Sequence, residues 1–445
     1  MNQNNVITLT EQQQEALTTL RDWWKSDSQN IIIRGKPGVG KTFLLKYFAE
    51  SNKDMVPLFT APTNEAVKQL ELALSVKGKA KTTYSALGLK MSDWTKTQYI
   101  YQDRVPEDLG DHNVLVVDEA SMVGLKLNPE QRNLLADYVL EQGMRTIWLG
   151  DDCQLPPVEA EDGVSPIFKQ DWPQVFLTQV MRHSGAILDY VNLIRDEIPK
   201  PVRNLPKIIP GIGEISQTKL QEKLLQTETF EQIRKGTCKT IVWTNKRCDE
   251  INSIIRQHMF GDISSKQFLL PEDQILFTKP LFQRKGMTTV KKTEELLDIQ
   301  QEIICSINTK AQVVQTNLTM LLGVECWKVQ FNLEDGVTCF GYHPTLKGLK
   351  TLKANLKAMH EAAQALPKGK LRGRQYKLYH AYKDCFCEVK HSYCITGHRS
   401  QGSTIDHVFV DTTNMLLNRD RLVAFKNLYV ACSRAKQSLT LVRGV

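Results

Sequence analysis

The sequence predicts an α/β protein of more than one domain, with a β-rich insertion in its second half. Three observations lead there. The first is Gly35-Lys36-Pro37-Gly38-Val39-Gly40-Lys41-Thr42, a glycine-rich loop between an apolar run, Ile31–Ile33, and an apolar helical pattern from Phe43 to Phe48. The second is the recurrence of short apolar runs that end in polar residues: Val56–Thr60, Val114–Val117, Thr146–Leu149 and Thr240–Trp243. Runs of this kind read as strands buried on both faces, as in parallel sheets. The third is a break in that rhythm from about residue 266 to 390, where alternating segments replace continuous ones and a basic helical stretch follows.

A chain of 445 residues exceeds what one core organises and suggests about two to four domains. Its 41% hydrophobic and 24% charged residues are ordinary for a soluble globular protein. The net charge of +8 is concentrated: between Gly341 and Lys383 ten basic residues face only Glu361, which gives that segment +9. A polyanionic partner fits such a segment, as does a merely solvated face. The start of the chain lacks a basic–apolar–small leader pattern, and no apolar run approaches the ~18–20 residues of a membrane span. Ten cysteines in this length are no disulfide framework, so a reducing cytosol is the expected compartment. Cys385, Cys387, His391 and Cys394 match zinc in number, but the C-x-C spacing and strand-like alternation favour packing over metal.

In chain order, Thr10 opens a helix with Ala16, Leu17, Leu20 and Trp24 at helical spacing, and Thr10-x-x-Gln13 forms a capping box. Gln13 has a second reading, since an amide donor and acceptor can read an adenine edge. In the loop, Gly35, Gly38 and Gly40 let N–H groups curl around an anion, and the following helix aims its positive end there. Lys41 reaches the β- and γ-phosphates of a nucleoside triphosphate, and Thr42 offers Mg²⁺ a hydroxyl. The run at Val56–Thr60 ends in Ala61-Pro62-Thr63-Asn64, a helix start or a grip on a phosphodiester backbone. Thr83 and Tyr84 lie in a further polar turn. Trp94, Tyr99 and Tyr101 suggest a small hairpin whose aromatics stack on bases if exposed. Asp118 and Glu119 follow a buried strand, where one carboxylate holds a metal and the other polarises water. Gln154 ends the next strand and could sense a γ-phosphate. The first α/β unit closes near Trp172 and a second starts at Val175. The pattern resumes after the insertion at Tyr393–Thr396 and runs to a helix ending near Arg434 and a last strand, Ser438–Val442.

These segments together resemble superfamily 1 helicases, in the 5′-to-3′ branch of RecD-like and phage Dda-like enzymes. Leu9–Gln13 is similar to the Q motif, Gly35–Thr42 to motif I, Ala61–Ala66 to motif Ia and Asp118–Ser121 to motif II. Gly150–Val158 is similar to motif III, Leu177–Arg182 to motif IV, Thr396–Gly402 to motif V and Tyr429–Ala435 to motif VI. The sequence departs from the pattern at Tyr84, Gln179, His398-Arg399 and Ser433, none of which removes a catalytic group.

The resemblance implies two RecA-like domains with parallel sheets, residues 1–175 and residues 176–265 with 391–445. It also implies a small hairpin insertion near 84–107 acting as a strand-separating pin, and an SH3-like insertion with helices at 266–390. Lys41, Glu119, Gln154, Arg182 and Arg434 would be catalytic, with Arg182 and Arg434 reaching the γ-phosphate from the second domain. Gln13 and the stretch Gly35, Lys36, Pro37, Gly38, Val39, Gly40, Lys41, Thr42 and Phe43 would bind ATP. Thr42 and Asp118 would hold Mg²⁺. Pro62, Thr63, Asn64, Thr83, Tyr84, Tyr101, Thr396 and His398 would contact DNA. The implied activity is ATP-dependent 5′-to-3′ translocation on single-stranded DNA with duplex unwinding, by a monomer working on forked DNA beside replication or single-strand-binding proteins, in a phage or bacterial cytoplasm. An RNA-directed relative, or a clamp that binds without unwinding, is the alternative.

Overall fold

A computed structural model describes residues 9–75, 78–93, 96–101, 109–124, 135–157, 160, 163–179, 185–199, 205–284, 286, 293–305, 307–367 and 369–444. Two compact units emerge: Met1–Ser216 with Thr396–Val445, and Gln217–Ile395.

The first unit begins with the helix Glu11–Lys25. Its capping box is present: the Gln13 N–H donates to Thr10 Oγ1 and the Thr10 N–H donates to Gln13 Oε1. Ala16, Leu17, Leu20 and Trp23 form the buried face, so Trp23 takes the place expected of Trp24, which is half-buried. Next come strands β1 (Asn30–Gly35), β2 (Pro57–Ala61), β3 (Lys81–Thr82), β4 (Leu89–Asp93), β5 (Lys96–Tyr101), β6 (Val114–Val117), β7 (Arg145–Gly150), β8 (Gln174–Leu177) and β9 (Gly213–Ser216). Six of them build one sheet in the order β3-β2-β6-β7-β1-β8, and every pairing is parallel. Ile31, Ile32, Ile33 and Val114 to Val117 are wholly buried, which is why the sequence reads as uninterrupted apolar runs there.

One boundary differs from the sequence reading. Val175–Leu177 does not open a second α/β unit: it lies in β8, the edge strand of the first sheet, parallel to β1 from Ile32↔Gln174 to Gly35↔Leu177. The close approach at that edge needs a glycine, because a Cβ on Gly35 would lie 2.5 Å from the Leu177 carbonyl oxygen. The expected hairpin is present as the antiparallel pair β4–β5, which carries Tyr99 and Tyr101 on its second strand. Trp94 falls outside the described residues. A second parallel array in this unit joins β9 to Ala435–Arg443 and that strand to Ile405–Asp411. Between the last two in sequence lies the helix Arg421–Cys432, buried at every residue from Ala424 to Cys432.

The second unit holds the strand Cys238–Val242, the helix Asn245–Phe260 and an antiparallel five-stranded sheet. In the sheet, Lys310–Leu321 and Val324–Leu333 make a long hairpin, flanked by Thr338–Pro344 on one side and Gln274–Phe277 on the other. Two helices follow, Leu346–Ala365 and Lys370–Lys383. The candidate zinc residues are dispersed. Cys387 packs in one core cluster, Cys385 in another with its thiol donating to Ala381 O, and His391 Nε2 bonds Phe268 O. Among the described residues, they form no group that could hold a metal together. All ten cysteine side chains are buried. No described helix is long and apolar enough to cross a membrane.

A buried ion pair organises this unit. Arg256 donates through Nε and Nη2 to the two oxygens of Asp273, at 2.9 and 3.0 Å, and Tyr393 donates its hydroxyl to the same carboxylate. His391 lies 3.7 Å from Asp273, and Phe268 stacks on His343. Burial lowers the pKa of both His343 and His391 to about 4. Because the folded values lie below the ordinary ~6.5, the neutral rings contribute stability above pH ~6.5 that is lost as pH falls toward 4. Replacing His343 with Gln removes one of these titrations. The gap in urea midpoint between wild type and His343→Gln should therefore shrink by the equivalent of ~1–3 kcal/mol from pH 7.5 to 4.5. A constant gap would contradict the buried neutral ring.

Candidate active site

The glycine-rich loop is shaped by two left-handed residues, Gly38 (φ 82°) and Gly40 (φ 84°), the second capping the helix Lys41–Ser51. A side chain at either would strain that path. The helix starts at Lys41, so its free N–H groups face the loop. Lys41 folds back over the loop and donates to Gly35 O (2.7 Å) and Lys36 O (3.1 Å). Val39 is buried beneath the loop, whereas Lys36, Pro37 and Thr42 are half-exposed and Phe43 is 41% exposed.

Asp118 and Glu119 stand at the C-terminal end of β6, next to β1's neighbour β7 in the sheet. Asp118 Oδ1 accepts the Glu119 N–H at 2.8 Å. Glu119 is held at φ 50°, ψ 40°, a left-handed conformation that costs a non-glycine residue ~1–2 kcal/mol. Burial raises the Asp118 pKa against the pull of Lys41. Burial and the neighbouring Asp118 raise that of Glu119, against Arg434 and Lys41. Arg434 is buried, its own pKa lowered by that burial while Glu119, Tyr429 and Asp151 oppose the shift. Its guanidinium donates to Val430 O, Ser403 O and Ser433 Oγ. Lys41, Asp118, Glu119 and Arg434 thus form one electrostatic group drawn from three distant stretches of chain. Arg182 falls outside the described residues.

At the end of β7, Gln154 is 4% exposed, and its Oε1 has no hydrogen-bond partner among the described residues. A buried amide oxygen left this way is costly and marks a position that a ligand's donor or a bridging water would complete. Beside it sits a network that sequence reasoning missed. Asp151, fully buried, accepts hydrogen bonds from the Tyr429 hydroxyl, from Arg195 Nη2 (3.3 Å) and from the Cys153 N–H (3.1 Å). Arg195 also reaches Asp152, and Lys426 donates to the Asp152 carbonyl at 2.7 Å. Gln401 donates to Leu155 O at 3.2 Å. The end of β7 is therefore bound to the helix Ala186–Glu197, to the buried helix Arg421–Cys432 and to the turn after Thr396. The available signal was Lys426, Asn427 and Tyr429 inside a largely apolar helix: polar groups there need buried partners.

The residues expected on a nucleic acid divide. Pro62, Thr63 and Asn64 are half-buried at the end of β2, with Thr63 Oγ1 accepting the Ala66 N–H. Thr396 and His398 lie in a turn whose Gly402 packs on Ala66, where a Cβ would stand 3.3 Å from the Ala66 nitrogen. Those two loops are neighbours. Burial lowers the His398 pKa, which favours a neutral ring. Thr83 departs from expectation: it is fully buried and donates its hydroxyl to Thr60 Oγ1, so it braces the turn and offers no surface. Tyr84 is half-buried against the core. Gln13 is 2% exposed and its amide oxygen already serves the cap. Its neighbour Gln12 instead binds Thr178 through both amide atoms.

Residues 8–205 match the model of an AAA domain, and residues 391–442 that of a UvrD-like helicase C-terminal domain. The chain is similar to the ATP-dependent DNA helicase dda of Enterobacteria phage T4, with 29% identity over 289 residues that cover 62% of each chain. It is also similar to the ATP-dependent DNA helicase Pif1 of Bdellovibrio bacteriovorus, with 28% identity over 40% of this chain and 38% of that one. The matches thus span less than two thirds of these relatives' own lengths. A Bacteroides Pif1 solved bound to ssDNA aligns over 99% of this chain and 93% of that one, with 14% identity and a TM-score of 0.49. The two matched segments and these relatives make the chain similar to the Dda-like superfamily 1 helicases that its motifs resemble.

Proposed function

We propose that this protein is an ATP-dependent DNA helicase that translocates 5′ to 3′ on single-stranded DNA and separates duplexes. The observation that carries the reading is the electrostatic link between half-buried Glu119 and buried Arg434 in a group that includes Lys41. Two RecA-like domains supply these groups, and the β-rich insertion is read as an SH3-like module with helices. A triphosphate entering the loop replaces the two carbonyls now held by Lys41 with phosphate oxygens. Glu119, its carboxylate fixed by a strained backbone, orients the attacking water and accepts its proton. Arg434 stabilises the charge that develops on the transferring phosphoryl. Gln154 is proposed to donate from its Nε2 to that phosphoryl, leaving Oε1 to accept from a water, and Arg182 is proposed as a second arginine there. The hydroxyl of Thr42 and the carboxylate of Asp118 are the oxygen donors Mg²⁺ prefers, and when bound it would neutralise phosphate charge. Pro62, Thr63, Asn64, Thr396 and His398 are proposed to hold the single strand, and Tyr101 to serve the pin.

Hydrolysis changes what Gln154 and Arg434 touch, and both are tied to the helix Arg421–Cys432 through the Asp151 network. That connection turns loss of the γ-phosphate into movement of the loops at Ala61–Ala66 and Thr396–Gly402. Strand separation measured on 5′-tailed and 3′-tailed duplexes tests the activity and its polarity together. Displacement only from the 5′-tailed substrate is expected. ATPase stimulated by RNA but not by DNA, or stimulated by DNA without displacement, would replace the reading by an RNA-directed enzyme or a clamp.

Lys41→Ala should abolish ATP turnover in a phosphate-release assay. Arg434→Ala should bind nucleotide nearly as wild type but hydrolyse it ~10³-fold more slowly, as when an arginine finger is lost. The raised pKa of Glu119 predicts an acid limb in the pH–rate profile above the ordinary carboxylate range, because activity disappears as that carboxylate gains its proton. Glu119→Gln should cut kcat by ~10²–10⁴ and erase the limb. Tyr429→Phe leaves Asp151 one bond short and should cost ~1–3 kcal/mol in urea unfolding, with kcat falling more than the affinity for ATP. An unchanged kcat would detach the network from turnover.

A further inference from the structure

The helix Leu346–Ala365 turns one face to the core of its unit and another to water. Gly348, Leu352 and Ala363 are buried, with Leu356 and Met359 packed beside them. Its start is pinned, since a Cβ on Gly348 would lie 1.8 Å from the Glu325 carbonyl oxygen. Farther along, Asn355 donates to the Tyr382 hydroxyl at 2.8 Å and so ties the helix to its neighbour, Lys370–Lys383. With the apolar face fixed, Lys350, Lys353 and Lys357 fall on the opposite side, all exposed. Spacings of three and four residues place them in one line about 10 Å long. Lys370, Arg374 and Lys377 are exposed on the second helix. Against this stand only two long ion pairs among the described residues of the first helix, Lys357–Glu361 at 3.8 Å and Lys347–Glu325 at 3.6 Å.

The chemistry of the stripe selects its partner. A lipid surface needs a broad apolar face to enter it, and this helix has turned Leu352, Leu356 and Met359 to the core, leaving Leu346 and Leu349 as its exposed large apolar side chains. A single strand is usually held by rings on which bases stack. Here His360 lies 5.7 Å from Tyr376 and 6.1 Å from Tyr379, so the rings pack on one another in the seam. Beside Leu346 and Leu349, the outward face carries a straight row of flexible ammonium groups. Duplex DNA carries about one charge per 1.7 Å of axis, so 10 Å of it presents about six phosphate charges.

We propose that the face bearing Lys350, Lys353 and Lys357 is a sequence-independent binding surface for the phosphate backbone of double-stranded DNA. This rests on the helicase reading only in taking DNA as the nucleic acid. The row positions a duplex and reads no bases. The loops proposed to carry the single strand belong to other segments, Ala61–Ala66 and Thr396–Gly402.

The test uses the full chain with the triple substitution Lys350→Ala, Lys353→Ala, Lys357→Ala, beside a triple arginine variant. Binding to a blunt 20-base-pair duplex and to a poly-dT oligonucleotide is followed by fluorescence anisotropy across a salt series. The alanine variant should bind duplex about tenfold more weakly or worse, with a salt slope smaller by roughly 2.7, about 0.9 for each lost contact. Its poly-dT binding and its DNA-stimulated ATPase should match wild type, and the arginine variant should bind duplex as wild type does. Unchanged duplex affinity and slope, an equal fall in poly-dT affinity, or wild-type binding to anionic vesicles in place of duplex would each overturn the proposal. Absence of DNA-stimulated ATPase in the wild type would instead strike the helicase reading, while duplex binding still reports on the stripe.

Discussion

A carboxylate removed from water must be compensated, and this constraint explains most of the first unit. Asp118 and Glu119, half-buried, and Asp151, wholly buried, stand at the ends of two adjacent parallel strands, where both faces of the sheet are already filled with aliphatic side chains. Compensation has to come from elements that cap the strand ends. Lys41 comes from the loop after β1, Arg195 from the helix Ala186–Glu197, and Tyr429 and Arg434 from the C-terminal segment. Removing a member would strand a buried charge, which typically costs several kcal/mol. The requirement that fixes these segments in place is thus the same one that assembles the chemistry.

The two networks divide the work by character. Around Asp151 the carboxylate is directly hydrogen-bonded by the Tyr429 hydroxyl, Arg195 and the Cys153 N–H, as suits a structural joint. Around Glu119 and Gln154 they are incomplete: a left-handed backbone, raised carboxylate pKa values and an amide oxygen without a partner. Unfilled capacity next to a filled joint is the pattern of a site that awaits charge from outside and transmits its arrival.

Much of this was legible in the sequence because it is local. The phosphate loop, the capping box at Thr10 and the carboxylates after Val114–Val117 each declare themselves within a dozen residues. The pairing of Arg434 with Glu119 is not local, and only resemblance brought the two together. Thr83 was placed on DNA by resemblance alone, whereas its hydroxyl is spent on Thr60 beneath the surface. Val175–Leu177 misled because an apolar run does not say which sheet it joins; the missing side chain of Gly35 decides that. Lys426 and Tyr429 were passed over because a helix buried on every side has no amphipathic pattern to interrupt.

The first unit is discontinuous in the chain, and this has a consequence for biosynthesis. Residues 217–395 are made before the segment that carries Tyr429 and Arg434. A nascent chain with its phosphate loop already formed still lacks the groups that balance Asp151 and Glu119. The intervening unit, self-contained around Arg256 and Asp273, can mature first while the earlier half waits on the ribosome with its strand ends uncapped. Until translation reaches Tyr429 and Arg434, the growing polypeptide lacks these partners of Asp151 and Glu119.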